Sequence, residues 1–276
     1  MPLRFTKMHG AGNDFALVDL RGGLAPPDPA RVRALADRHR GIGFDQLLSI
    51  EDSVRVDCAA DYRIWNQDGS LSEQCGNGAR CVAAWLLRDG TTHGHHFQLG
   101  SPAGVVAVHR QADGQFSLSM GVPAFEPDAV GLDEPVARQN YARSLDGQPI
   151  GFGAVSMGNP HALFVVDDIA RAPVASVGPA LQAAGWFRHG VNVGFAQLLS
   201  RNAIALRVHE RGVGETLACG SGACAAVAIL VHQGHVDRHC RVDLPGGTLL
   251  IDWPDDNAPV TMAGPATFVY EGECLA

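Results

Sequence analysis

The sequence predicts an α+β protein of two pseudo-symmetric lobes, each a mixed β-sheet or barrel wrapped around one central helix. Three observations carry that expectation. First, Cys75-Gly-Asn-Gly-Ala-Arg-Cys-Val-Ala-Ala-Trp-Leu-Leu is echoed by Cys219-Gly-Ser-Gly-Ala-Cys-Ala-Ala-Val-Ala-Ile-Leu-Val, each a glycine-rich turn leading into an alanine-rich apolar run. Second, polar landmarks recur in the same order at nearly the same shift: Asn13 with Asn159, Gln46 with Asn192, and Asn66 with Glu210, the last pair each nine positions before its cysteine. Matches in one order at a near-constant shift indicate two homologous halves. Third, short strand-like runs outnumber helical ones, and two of the helical runs are the duplicated segments themselves.

The elements follow in chain order. Lys7 sits in the first strand, and Phe15–Asp19 reads as the next. Residues 29–39 read as a helix. Residues 76–88 are apolar nearly all round, as a helix buried inside its lobe must be. Val105–His109 and Phe116–Met120 read as strands. The Pro/Gly-rich stretch Gly121–Pro127 marks the boundary, giving lobes at 1–121 and 122–263. In the second lobe, strands are expected at Ala162–Val166, Ile204–His209 and Leu249–Trp253, and helices at 176–185 and 220–233. The last strand, Ala266–Tyr270 within about 264–276, is expected to return to the first lobe.

Composition narrows the function. A hydrophobic fraction of 46% and a charged fraction of 18% in 276 residues describe a globular chain. The net charge of -8, with no Lys/Arg cluster, argues against a nucleic-acid partner. No apolar run reaches membrane length, and the N-terminus has no signal-peptide core, so the expected location is cytoplasmic. Lys7 is the single lysine, so a pyridoxal-phosphate Schiff base would have to form there; amino-acid chemistry is therefore expected to run without a cofactor. Seven cysteines, an odd count without a C-x-x-C pair, read as reduced thiols rather than a disulfide framework or a zinc site. His93, His95 and His96 read as a solvated turn, and no metal is expected.

The chemistry rests on Cys75 and Cys219. Each turn places its cysteine at or just before a helix N-terminus, where unpaired N–H groups and the helix dipole favour negative charge. Such a setting is expected to lower a thiol pKa, and the same N–H groups can hold a substrate carboxylate. Two such cysteines facing each other across a cleft between the lobes could act on opposite faces of one carbon, one thiolate removing an α-proton and one thiol returning it. His161, beside Asn159, and Glu210, before Cys219, are the further titratable candidates. Cys58, Cys81 and Cys224 read as core residues.

At this point the sequence resembles the diaminopimelate epimerase family. The resemblance is carried by Phe5-Thr-Lys-Met-His-Gly-Ala-Gly-Asn-Asp-Phe, Gly43-Phe-Asp-Gln, Arg63-Ile-Trp-Asn-Gln-Asp-Gly-Ser, Gln74-Cys-Gly-Asn-Gly-Ala-Arg-Cys, Gly158-Asn-Pro-His, Gly190-Val-Asn-Val, Glu210-Arg-Gly and Ala218-Cys-Gly-Ser-Gly-Ala-Cys. It implies interconversion of LL- and meso-2,6-diaminopimelate in a homodimeric enzyme. Cys75 and Cys219 then form the acid/base pair, supported by His161 and Glu210. The resemblance further implies substrate binding by Asn13, Gln46, Asn66, Asn159, Asn192, Glu210 and Arg211, with Gly76, Asn77, Gly220 and Ser221 holding the reacting carboxylate. Ala11 stands where a larger apolar residue is usual and Trp65 where Phe is common.

Three other readings share some of these features. A proline racemase or hydroxyproline epimerase would share the two-cysteine plan, but those enzymes carry Cys-Gly-His-Gly at the first turn, where Asn77 stands here. A redox protein could use Cys75 and Cys219 as a switch. A dinucleotide fingerprint at Gly10-Ala-Gly-Asn-Asp lacks its last glycine and runs into a strand-like segment, which excludes it.

Overall fold

The computed structural model describes residues 3–72 and 75–275, so Gln74 of the first cysteine motif lies outside the described residues. The chain divides into two compact units, Met1–Ser119 with Ala263–Ala276, and Met120–Met262.

The first unit contains β1 (Leu3–Gly10), β2 (Asn13–Asp19), α1 (Pro29–Ala36), β3 (Gln46–Glu51), β4 (Cys58–Asn66), β5 (Leu71–Ser72), α2 (Gly76–Asp89), β6 (His96–Ser101), β7 (Gly104–Arg110) and β8 (Phe116–Ser119). The second contains α3 (Pro127–Val130), β9 (Tyr141–Leu145), β10 (Gln148–Ser156), β11 (Pro160–Val165), α4 (Val174–Ala183), β12 (Asn192–Ser200), β13 (Ala203–Glu210), β14 (Gly214–Thr216), α5 (Gly220–His232), β15 (His239–Leu244) and β16 (Gly247–Asp252). The chain then leaves through β17 (Thr261–Gly264), and β18 (Thr267–Cys274) pairs antiparallel with β1.

The duplication read from the sequence is repeated pairing by pairing. In the first unit β1–β2 is antiparallel, β2–β3 parallel, β3–β4 and β4–β5 antiparallel, β4–β6 parallel and β6–β7 antiparallel. In the second, β10–β11, β11–β12, β12–β13, β13–β14, β13–β15 and β15–β16 repeat that order of senses. Even the register agrees. Phe15 lies opposite Gln46 in the first parallel pair, and His161 opposite Asn192 in the second.

Each unit wraps its sheet around the helix that follows its cysteine. Ten residues of α2 and nine of α5 are buried. A helix buried on every face must be small and apolar, which the alanine-rich runs supply. A second layer in the first unit packs Val32, Leu35 and Ala36 of α1 against Phe44, Leu47 and Trp65. Its counterpart in the second unit packs Val174 and Leu181 of α4 against Phe152, Phe187, Val193 and Phe195.

Several expectations shift. The helix expected over 29–39 stops at Ala36, because the Asp37 carboxylate accepts hydrogen bonds from the backbone N–H groups of His39 and Arg40 at 2.8 and 3.0 Å and closes a turn. The helix expected over 176–185 starts at Val174, right after Pro173, and carries Pro179 within it. The boundary stretch runs into an unexpected single turn, α3, with Pro127 in its first turn and Gly131 left-handed at its end. Cys58, read as core, is half-buried, because the β4–β6 register shifts between Cys58 and Ala60. Cys81 and Cys224 are buried.

Candidate active site

Cys75 is the N-cap of α2 and Cys219 the N-cap of α5. Around Cys75 the first unit gathers Asn13 and Asn77. The Cys75 Sγ lies 3.7 Å from Asn13 Oδ1 and accepts from the Gly78 backbone N–H at 3.4 Å. Asn77 Nδ2 donates to Asn13 Oδ1 at 3.3 Å, and Asn13 Nδ2 donates to Asp45 Oδ2 at 3.0 Å. Behind them stands a charge cluster. Arg38 holds Asp14 and Asp45, and Lys7 Nζ is committed to Asp14 and to the carbonyl of Gly43. Burial pushes the Asp14 carboxyl up, but the hydrogen bonds from Arg38 and Lys7 outweigh it and bring the pKa down to about 2. A lysine engaged in this way, nine-tenths buried, is poorly placed to form a Schiff base. Gln46 and Asn66 form a second pair on neighbouring strands, with Gln46 Nε2 donating to Asn66 Oδ1 at 2.9 Å.

The second unit repeats the amide contact in changed chemistry. Asn159 Nδ2 donates to Ser221 Oγ at 3.4 Å, where the first unit has Asn77 against Asn13. Asn159 Oδ1 also meets His161 Nε2 at 3.0 Å. His161 is 3% exposed, and burial drops its pKa to about 3, so the ring is neutral at physiological pH. Its counterpart in the first unit is Phe15, so the repeat swaps an aromatic ring for an imidazole. Cys219 Sγ donates to Glu210 Oε2 at 3.0 Å, and Thr216 Oγ1 donates to the other Glu210 oxygen. The counterpart of Glu210 is the neutral Asn66. Asn192 Oδ1 accepts from the Arg211 backbone N–H at 2.9 Å, and the Arg211 guanidinium donates to the carbonyl of His189.

The expected low thiol pKa does not hold for Cys219. Burial first, and the Glu210 carboxylate second, push this thiol well above the ordinary range, and the Gly222 and Ser221 donors do not offset them. The helix N-terminus stabilises a thiolate only to the extent that the thiol is not also desolvated and faced by an anion.

Close packing constrains the Cys219 turn and the Gly190 turn. A Cβ at Gly222 would lie 3.2 Å from Cys219 Sγ and 3.1 Å from Val208. Gly190, at φ +73°, leaves room for Arg211, whose Cδ would be 2.6 Å from an added Cβ. Gly76 and Gly220 open their helices directly after the cysteines. Thr216, Asp45 and Arg80 were not among the residues expected from the sequence. Arg80 lies within the Cys75-Gly-Asn-Gly-Ala-Arg-Cys motif, but nothing in the spacing distinguishes it.

The diaminopimelate epimerase family model matches residues 5–126 and 153–269. The chain belongs to the diaminopimelate epimerase family. It is 55% identical over 272 residues to a diaminopimelate epimerase of Xanthomonas campestris, covering 98% of this chain and 96% of that one. It is 53% identical, at the same coverage, to a diaminopimelate epimerase of Xylella fastidiosa. Among solved structures, a hydroxyproline epimerase from Agrobacterium vitis superposes with TM-score 0.70 at 15% identity, covering 99% of this chain and 92% of that one. A phenazine biosynthesis protein from Bacillus anthracis gives TM-score 0.70 at 16% identity with both chains fully covered. These distant likenesses bear on the fold alone. Among the described residues, no helix of this epimerase-family chain is long and apolar enough to cross a membrane.

Proposed function

We propose that the protein interconverts LL- and meso-2,6-diaminopimelate without a cofactor, with Cys75 and Cys219 as the acid/base pair. Membership of the family, at more than half identity to epimerases along almost the whole chain, supports the substrate. The observation that carries the mechanism is the pair of duplicated helix N-caps, each a cysteine followed by Gly-x-Gly.

In one direction Cys219 removes the α-proton. Its own proton first passes to Glu210 Oε2, the acceptor already 3.0 Å away, while Thr216 holds the second carboxylate oxygen. The α-proton forms the new S–H bond on Cys219, and the pair of electrons stays on the substrate carbon. Cys75 then delivers its thiol proton to the opposite face and becomes a thiolate. The reverse reaction exchanges these roles. The N–H groups opening α2 and α5, with Asn77 and Ser221, hold the reacting carboxylate, where the developing charge is greatest. Neutral His161 orients Asn159 rather than carrying charge. The distal amino-acid end is gripped by Arg211 and by the Asn66 and Asn192 amides, with Asn13, Gln46 and Asn159 completing the polar lining.

The mechanism needs both thiols at one α-carbon. Mild oxidation is expected to join Cys75 to Cys219, mapped by mass spectrometry, with activity lost and then restored by reduction. A fully active oxidised protein would refute the acid/base roles and favour the redox reading. Turnover of proline but not of diaminopimelate would sink the substrate assignment. We further propose a cytoplasmic homodimer, supported by the family likeness; sedimentation tests the dimer.

A further inference from the structure

Arg80 lies in the middle of the apolar helix α2 and is 0% exposed. A wholly buried guanidinium is costly unless its donors are used well. Its Nη2 donates to Asn77 Oδ1 at 2.8 Å and its Nε to the carbonyl of Pro265 at 3.3 Å. The space for it is built. A Cβ at Gly10 would lie 3.2 Å from Arg80 Nη2 and 3.2 Å from the Asn77 carbonyl.

We infer that Arg80 is a positioning residue for the Cys75 turn, locking the Asn77 and Asn13 amides through one hydrogen-bond relay and placing a buried cation on the helix that Cys75 caps. The inference rests on the proposed reading of Cys75 as an acid/base group.

The relay admits one orientation. Because Arg80 can only donate, the atom of Asn77 facing it is the oxygen, which turns Asn77 Nδ2 toward Asn13. Asn13 Nδ2 is committed to Asp45, so its oxygen faces both Asn77 and the Cys75 thiol. Removing Arg80 takes away the donor that the Asn77 oxygen faces at 2.8 Å and frees that amide to turn over. The substrate carboxylate would then meet a donor in one orientation and an acceptor in the other.

The second unit shows that this is a feature of one lobe rather than of the fold. There Cys224 occupies the place of Arg80, Ser221 that of Asn77, and Ser156 that of Gly10. The strand residue grows where the helix residue shrinks. The charge differs too: an arginine stands on the helix capped by Cys75, and the Glu210 carboxylate beside Cys219. From its N-cap Cys75, Arg80 stands five positions along α2, at about 1.5 Å rise each. Among the described residues of this unit, Tyr62 on β4 and Cys81 on α2 also interact electrostatically with Cys75, and burial keeps both neutral. Asp14 and Asp45 stand behind Asn13 and are paired with Arg38. Arg80 already pulls against the burial of Cys81.

The test compares Arg80→Met and Arg80→Lys with wild type by two readouts. Iodoacetamide labelling between pH 5 and 12, resolved per cysteine by mass spectrometry, reports the thiolate at each site. Steady-state kinetics with LL-2,6-diaminopimelate reports KM and kcat. Arg80→Lys keeps the cation but loses the planar fork. It should leave the Cys75 labelling profile in place and raise KM about tenfold, and it should add nothing to KM in an Asn77→Ala background. Arg80→Met should raise KM likewise and move the Cys75 profile up by about one pH unit, a tenfold loss of thiolate near neutrality, while the Cys219 profile stays put. A folded Arg80→Met with an unmoved Cys75 profile, or with Cys75 and Cys219 shifted alike, overturns the inference. If Arg80→Met does not melt cooperatively, wild-type KM in Arg80→Lys overturns it instead. Labelling needs no turnover, so a wild type inert toward diaminopimelate that still shows the Cys75 shift would sink the proposed function and leave this role standing.

Discussion

Burial of His161 as a neutral ring gives the second unit a calculable weakness in acid. The ordinary pKa is 6.5 and the folded value about 3, so below pH 6.5 the unfolded chain binds a proton that the folded chain refuses. The stability from neutral His161 is therefore complete above pH 6.5 and is lost as pH falls from 6.5 toward 3. Integrating the linkage gives a cost of about 0.2 kcal/mol at pH 7 and about 2 kcal/mol at pH 5. The pH 5 figure barely changes if the folded value is nearer 4, since the folded ring is still unprotonated there. His161→Phe copies Phe15, the fully buried counterpart in the first unit. The variant loses the Asn159 hydrogen bond, worth about 1 kcal/mol, equally at both pH values. Guanidinium unfolding followed by tryptophan fluorescence, with Trp186 packed against the second-unit core, should show wild type losing about 2 kcal/mol more than His161→Phe between pH 7 and pH 5. Equal losses in the two proteins would mean that His161 takes up its proton in the folded state, and the account of a neutral ring would be wrong.

Gly222→Ala sets a methyl 3.2 Å from the Cys219 sulfur and 3.1 Å from Val208; it should lower kcat at least tenfold and destabilise by roughly 1–3 kcal/mol, both read from kinetics and melting. Gly190→Ala forces both a left-handed φ and a 2.6 Å contact with Arg211, and should raise KM for diaminopimelate well beyond its effect on kcat. Asp14, held at about pKa 2, contributes stability that is present above pH 3.8 and lost as pH falls toward 2; Asp14→Asn should remove up to about 2 kcal/mol at pH 7 and make unfolding flatter across that acid window.

The placement of both cysteines was legible because a repeated Cys-Gly-x-Gly before an alanine-rich run constrains the backbone twice over. Asn13, Asn77, Asn159 and Ser221 fall into matching contacts as the repeat implies, whereas the sense of each strand pairing is seen only in the structure. What the repeat hid was the way its halves differ. Glu210 against Asn66 and His161 against Phe15 are visible as letters, but the raised Cys219 thiol needs the sulfur to be both buried and 3.0 Å from a carboxylate. That is a tertiary fact. Arg80 was invisible for the opposite reason. In a helix read as apolar, one arginine looks like a side chain reaching for solvent, and the room left by Gly10 with the acceptors at Asn77 Oδ1 and the Pro265 carbonyl makes its burial tolerable. The early stop of α1 at Asp37 and the outward turn of Cys58 depend on local hydrogen bonds and a register shift, which periodicity does not record.

The central claim is that two different thiols serve the two faces of one carbon. Incubating the enzyme with LL-2,6-diaminopimelate in deuterated water and stopping at a few per cent conversion tests it directly. Two monoprotic thiols predict meso product carrying one deuterium at the inverted carbon, while the recovered LL isomer carries none. Deuterium entering the recovered LL isomer as fast as it enters the meso product would mean that a single group both removes and returns the proton, and would contradict the account.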